Sequence, residues 1–114
     1  MILTYGRLAY EALRAAAEIF LTRPVRVIRL KKIYPLDKDA VLAAIGGAED
    51  CLIVEEGMRR GGIGEMIAAI LAESGASVRV KILAASDFVP HGDTASLTSA
   101  LSLDAAGILR EANF

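Results

Sequence analysis

Residues 51–64 read CLIVEEGMRRGGIG, and this stretch decides the fold class that the sequence predicts. Its first part, Cys51 to Val54, is an apolar run without polar alternation, which is typical of a strand covered on both faces by helices. We therefore place this strand centrally in a sheet. The glycine-rich connection after it leads into a helix whose apolar face runs from Met66 to Leu71, and Gly75 ends that helix.

The same alternation of strand and helix continues towards the amino terminus. Ile2 to Tyr5 form a short apolar strand, and a second strand runs from Val25 to Leu30. A short helix from Lys38 to Ile45 is capped by Asp37 and ended by the glycine pair that follows it. Between the two strands, recurrent apolar residues predict a helix whose core face comprises Leu8, Ala9, Ala12, Leu13, Ala16, Ile19 and Phe20.

Towards the carboxyl terminus the pattern adds one more strand and two short helices. Val78, Val80 and Ile82 alternate with basic residues, which predicts a fourth strand nearer the edge of the sheet. Asp93 and Asp104 stand where the amino-terminal caps of the two helices are expected. Strands that alternate with helices in this way indicate the α/β class, as a three-layer α/β/α arrangement around a mostly parallel sheet.

Length and composition limit the possible classes of protein. The chain has 114 residues, 54% of them hydrophobic and 24% charged, and no repeat or linker divides it, so we expect one domain over residues 1–114. Thirteen basic and fourteen acidic residues give a net charge of -1, which offers no support for binding nucleic acid or an anionic membrane. The single cysteine, Cys51, excludes an intramolecular disulfide and fits a reducing compartment, so we expect the cytoplasm.

The glycine-rich connection from Gly57 to Gly64 is the best candidate for a binding site. Its glycines would let a ligand approach the backbone, and the start of the following helix favours anions. The candidate residues for an anion site or an interface are Glu55, Glu56, Arg59, Arg60, Gly61, Gly62 and Gly64. The connection matches neither a dinucleotide fingerprint nor a phosphate-binding loop, and Glu65 already compensates the helix dipole. We therefore favour the interpretation that these glycines serve a tight turn and close packing.

Glu55 and Glu56 end the central strand, where an open α/β sheet usually forms its ligand crevice. Adjacent residues of a strand point to opposite faces, so the two carboxylates cannot act together on one substrate. We expect one of them to bind a loop arginine or backbone amides instead.

Other chemistry is poorly supported by the sequence. His91 is the only histidine and lies in a Pro-His-Gly-Asp turn, where we expect it to hold the turn backbone as a structural residue. No nucleophile has a base and an orienting acid in a recognisable motif, and no residue set has the spacing of a metal site. We identify no catalytic, cofactor-binding or metal-binding residue.

Several short motifs occur together in a characteristic order. They are LTYG at 3–6, IYPLD at 33–37, VEE at 54–56, GGIG at 61–64, SDFVPHG at 86–92 and LDAAGI at 103–108. In this order they resemble the C-terminal domain of the transketolase family, most closely its 1-deoxy-D-xylulose-5-phosphate synthase branch. The resemblance covers essentially the whole chain.

The resemblance implies a parent enzyme that joins pyruvate and glyceraldehyde 3-phosphate with thiamine diphosphate and magnesium, for isoprenoid precursor biosynthesis. Such enzymes hold the cofactor with a Gly-Asp-Gly signature, and this sequence contains none. The resemblance therefore implies a non-catalytic, cofactor-free domain that supports dimerisation, with the remaining domains of the parent as partners. The strand directly after Met1 is expected of a domain cut from a longer polypeptide.

Two alternatives stay open at this point. One is a free-standing module that binds an anion or small molecule through the connection from Gly57 to Gly64. The other is the C-terminal part of a related thiamine enzyme, such as a split transketolase subunit or a 2-oxoacid dehydrogenase β subunit.

Overall fold

The computed structural model describes residues 1–85 and 103–112. Strands and helices alternate along these residues, as the sequence predicts for the α/β class. The elements are β1 (Ile2–Tyr5), α1 (Leu8–Ile19), β2 (Val27–Leu30), α2 (Lys38–Ile45), β3 (Asp50–Met58), α3 (Ile63–Ser74), β4 (Arg79–Ala85) and α4 (Ala105–Glu111).

The four described strands form one parallel sheet in the order β2-β1-β3-β4. Among the described strands, the central position predicted for the apolar run and the edge position predicted for β4 are both confirmed. Ile2 of β1 stands opposite Val27 of β2 on one side and Leu52 of β3 on the other. Across that second contact, the buried hydroxyl of Thr4 donates a hydrogen bond of 2.8 Å to the carbonyl oxygen of Val54.

Helices cover both faces of the sheet and create two separate apolar cores. On one face, α1 and α4 pack against alternate strand residues such as Leu52 and Val54. On the other face, α2 and α3 pack against the intervening residues, such as Cys51 and Ile53. The predicted three-layer architecture is therefore confirmed, and the run without polar alternation is explained because β3 is buried on both sides.

The ends of the helices follow local capping chemistry. The Asp37 side chain accepts a hydrogen bond of 3.1 Å from the amide of Ala40 at the start of α2, and Asp104 accepts one of 3.0 Å from Gly107 in α4. Gly75 ends α3 with a φ of 75°, a left-handed conformation that glycine adopts without strain. These predicted caps are confirmed, whereas the helix predicted after Asp93 lies outside the described residues.

The predicted core face of α1 is wrong at two positions. Leu13 is 56% exposed and Phe20 is 69% exposed, so both side chains point away from the sheet. The buried face of α1 is instead formed by Leu8, Ala9, Ala12, Ala15, Ala16 and Ile19. Four alanines in that set let the helix lie close to the sheet, and a face of this width leaves no inward position for Leu13 or Phe20.

None of the helices within residues 1–85 and 103–112 has the length and apolar character that crossing a bilayer requires.

The Cys51 thiol is expected to be unreactive in the folded chain. Its side chain is fully buried in β3, and burial raises the pKa of the thiol to about 11, so almost no thiolate exists at neutral pH. An aromatic disulfide reagent should leave native protein unlabelled and should modify one thiol per chain after unfolding in guanidinium chloride. Rapid labelling of the native chain would contradict the burial of Cys51.

Candidate functional site at the end of the central strand

A buried carboxylate lies at the start of α3. Glu55, near the end of β3, is only 1% exposed, and its two carboxylate oxygens accept hydrogen bonds from the amides of Ile63 at 3.0 Å and Gly64 at 2.7 Å. These amides belong to the first turn of α3, where no helical carbonyl can accept from them. The Glu55 carboxylate therefore occupies the position that a bound anion would take at this helix.

Two glycines make this position possible. A Cβ atom at Gly62 would lie 2.3 Å from Oε1 of Glu55 and 2.4 Å from the carbonyl oxygen of Met58. A Cβ atom at Gly64 would lie 2.9 Å from Oε2 of Glu55 and 2.7 Å from Cγ2 of Ile82. All four distances are too short for the Cβ atom of an alanine, so these glycines make room for a carboxylate of the chain itself.

A third glycine and a second carboxylate complete the turn. Gly61 has a φ of 71°, which places it in the left-handed region that favours glycine. Its amide donates a hydrogen bond of 2.7 Å to Oε1 of Glu65 in the first turn of α3. The connection is thus held by two glutamates, one from each side.

Opposing influences act on the protonation of Glu55. Burial raises the pKa of the Glu55 carboxyl above the ordinary glutamate value, while the hydrogen bonds from Gly64 and Ile63 lower it in part. The negative charge of Glu65 raises the same pKa further, and the positive charge of Arg59 opposes that effect. Burial is the largest of these influences.

Glu56 makes a different contact from its neighbour. It forms an ion pair of 2.9 Å with Nε of Arg7, and both side chains are partly exposed. Because Arg7 follows β1, this pair joins the ends of two adjacent strands. Arg7 is not predictable as this partner from the sequence, because its only signal is its place just after β1, and the sequence does not reveal that β1 and β3 are neighbours.

The two arginines of the connection take separate positions. Nη1 of Arg59 donates a hydrogen bond of 3.1 Å to the carbonyl oxygen of Ile82 in β4. Arg60 is exposed and lines an open pocket of about 240 Å³ together with Tyr5, Tyr34 and Met58. A larger pocket of about 590 Å³ lies at the opposite end of the sheet and contains none of the predicted site residues.

The structure provides no metal centre in its described part. Within residues 1–85 and 103–112, no three histidine, cysteine, aspartate or glutamate side chains lie where they could share one ion. His91 lies outside these ranges, so its structural role in the turn stays a prediction.

Comparison with known proteins gives consistent matches along the sequence. The sequence model of the family described as transketolase, C-terminal domain, matches residues 1–108. The chain is 41% identical over 108 residues to the 1-deoxy-D-xylulose-5-phosphate synthase of Methylibium petroleiphilum, a match that covers 94% of the chain and 16% of that protein. It is 39% identical over 110 residues to the enzyme of the same name from Bordetella parapertussis, covering 96% of the chain and 17% of the relative.

A solved structure shows the same fold. The chain matches a structure described as a split gene transketolase, inactive beta4 tetramer, with a TM-score of 0.84 and 21% sequence identity. The match covers 96% of this chain and 36% of the other. The chain therefore spans only a part of each of these proteins.

Proposed function

The chain belongs to the transketolase C-terminal domain family, and from this we propose that it is the non-catalytic C-terminal domain of a thiamine-diphosphate-dependent 1-deoxy-D-xylulose-5-phosphate synthase. The relatives of that name support this branch of the family. In such a parent, pyruvate and glyceraldehyde 3-phosphate are joined in isoprenoid precursor biosynthesis. The role of this chain is to support the architecture and the dimer of the enzyme.

One observation favours a structural role for the glycine-rich connection over a binding role. The Glu55 carboxylate already accepts hydrogen bonds from the free amides of α3, at 3.0 and 2.7 Å. A phosphate at the same place would meet a buried negative charge and would have to displace it. This argues against a free-standing anion-binding module, because such a module needs unoccupied amides at the start of α3.

The described residues also do not fit thiamine diphosphate and magnesium. Magnesium bound to a diphosphate needs several oxygen ligands around one ion. Such a gathering of carboxylates is missing from the two described ranges, and the sequence has a single asparagine and no glutamine. We assign the cofactor to the remaining domains of the parent enzyme.

We also propose partners and a location for the chain. The chain spans 16 to 17% of the relatives from Methylibium petroleiphilum and Bordetella parapertussis, so the partners we propose are the rest of the parent enzyme and a second copy of it. The lone buried thiol of Cys51 is compatible with a reducing compartment, and we propose the cytoplasm.

The absence of cofactor binding can be tested by calorimetry. Titration of the chain with thiamine diphosphate and magnesium chloride is expected to give no saturable heat. Glu55 occupies the amides at the start of α3, and the described residues gather no carboxylate cluster that could hold the magnesium ion. The Methylibium petroleiphilum synthase serves as the positive control. A micromolar dissociation constant for this chain would overturn the proposed function.

A segment exchange tests the positive part of the proposal. The 108 residues of the Methylibium petroleiphilum synthase that match this chain would be replaced by the chain. We expect the exchanged enzyme to form 1-deoxy-D-xylulose 5-phosphate, while deletion of the segment abolishes the product. A folded but inactive exchanged enzyme would favour the alternative of a C-terminal part from another thiamine enzyme.

A further inference from the structure

The outer face of α1 carries an unusual set of apolar side chains. They follow one another along α1 and the turn directly after it, on the side that faces away from the sheet. We call this set the outward stripe, and it consists of Tyr10, Leu13, Ala17, Phe20 and Leu21. All five are exposed, and four of them are large. Contiguous exposed apolar residues of this kind mark an interaction surface more often than scattered ones do.

The stripe is built so that two copies of it can face each other. Its small residue, Ala17, lies between the large residues Tyr10 and Leu13 on one side and Phe20 and Leu21 on the other. In an antiparallel pair with a two-fold axis at the level of Ala16, near the middle of the stripe, the amino-terminal half of each stripe meets the carboxyl-terminal half of the other. The small residue at the centre allows the two helices to approach closely.

The charges beside the stripe are also self-complementary. Arg14 and Glu18 flank the stripe on the same side, one turn apart, and both are exposed. A two-fold axis near Ala16 brings Arg14 of each copy opposite Glu18 of the other. Within residues 1–85 and 103–112 Glu18 forms no ion pair, and Arg14 forms its one ion pair with Glu11, at 3.2 Å. Arg14 has further donors available for a second carboxylate.

We propose that the outward stripe of α1 is a contact surface for a second copy of this chain, in an antiparallel two-fold arrangement. This inference rests on the proposed function, in which the domain supports a dimer, and it names the surface responsible. A stable interface uses about 20 to 30 residues a side, and the stripe with its flanking charges offers only seven. The isolated chain is therefore a reversible dimer whose population depends on concentration.

Sedimentation equilibrium over a range of concentrations tests the proposal. We expect reversible dimerisation of the wild-type chain, and we expect Leu13→Lys and Phe20→Lys each to weaken it about tenfold or more. Both side chains are exposed, so circular dichroism should show an unchanged fold. The matched control is Tyr34→Lys, since Tyr34 is 80% exposed and lines the pocket beside the glycine-rich connection, which contains no residue of α1. This variant should leave the dissociation constant unchanged.

A charge exchange tests the arrangement of the two helices. Arg14→Glu and Glu18→Arg should each weaken the dimer, and the double variant should restore it, which a parallel pair or another surface would not produce. A chain that stays monomeric at every concentration, or a dimer that tolerates Leu13→Lys and Phe20→Lys, overturns the inference. Neither result bears on cofactor binding, so calorimetry with thiamine diphosphate still tests the proposed function separately.

Discussion

Replacing Gly62 with alanine is expected to lower the free energy of unfolding by about 2 to 4 kcal/mol. The new Cβ atom would lie 2.3 Å from Oε1 of Glu55 and 2.4 Å from the carbonyl oxygen of Met58. The second of these atoms is backbone and cannot rotate away. Relief of the clash therefore has to move the connection and disturb the hydrogen bonds between Glu55 and α3. Urea denaturation followed by circular dichroism measures the effect.

Gly57→Ala provides a matched control in the same segment. A Cβ atom there would lie 3.5 Å from Oε1 of Glu55 and 3.6 Å from the hydroxyl of Tyr5, which are ordinary van der Waals distances. We expect this variant to change the stability by less than about 1 kcal/mol. Equal effects of the two substitutions would show that the close approach at Gly62 is not the reason for its glycine.

Replacing Glu55 with alanine is expected to cost about 2 to 4 kcal/mol of stability. The amides of Ile63 and Gly64 would lose their acceptors in a buried place, and the side-chain volume would be lost as well. Glu55→Gln should cost less than Glu55→Ala, because the amide oxygen can still accept one of the two hydrogen bonds. The matched control is Glu56→Ala, which removes only a partly exposed ion pair with Arg7 and should have a small effect.

The stability of the wild-type chain is expected to depend on pH because the pKa of Glu55 is raised. In the folded chain this carboxyl binds its proton up to a higher pH than in the unfolded chain. Its contribution to stability is therefore greatest below the ordinary glutamate pKa of about 4.3 and falls as the pH rises through the folded pKa. The free energy of unfolding of the wild-type chain, relative to that of Glu55→Gln, should decrease as the pH rises from about 4.3 to the folded pKa of Glu55 and should then become constant. An increase with pH would show that the hydrogen bonds outweigh burial.

Much of the fold could be predicted because its signals are local. The caps at Asp37 and Asp104 and the glycine stop at Gly75 depend only on residues a few positions away. The central strand was identifiable because burial on both faces leaves no polar residue between Cys51 and Val54. These elements needed no knowledge of the tertiary structure.

Helix α1 shows where local signals fail. Its apolar residues surround most of the helix, so more than one apolar face satisfies the helical spacing. The buried face is chosen by how closely the helix can lie on the sheet, and alanines such as Ala12 and Ala15 permit the closest packing. Leu13 and Phe20 were therefore assigned inward although they lie outward.

The candidate site was predictable only in its general outline. Strand alternation required Glu55 and Glu56 to point to opposite sides, and the structure places them so. The identity of their partners depended on the order of strands in the sheet. Arg7 lies next to Glu56 only because β1 and β3 are neighbours, which no feature of either segment reveals.

The position of β1 between β2 and β3 has a consequence for synthesis on the ribosome. Once Leu30 has been made, β1 can pair with β2. Its other edge has no partner until synthesis reaches Val54, whose carbonyl oxygen accepts the hydrogen bond from Thr4. At about 5 to 20 residues per second, synthesis from Leu30 to Val54 takes roughly one to five seconds, and the edge of β1 stays open for that time. During this interval the nascent chain presents unpaired amides and carbonyls to any strand nearby, including that of another nascent copy.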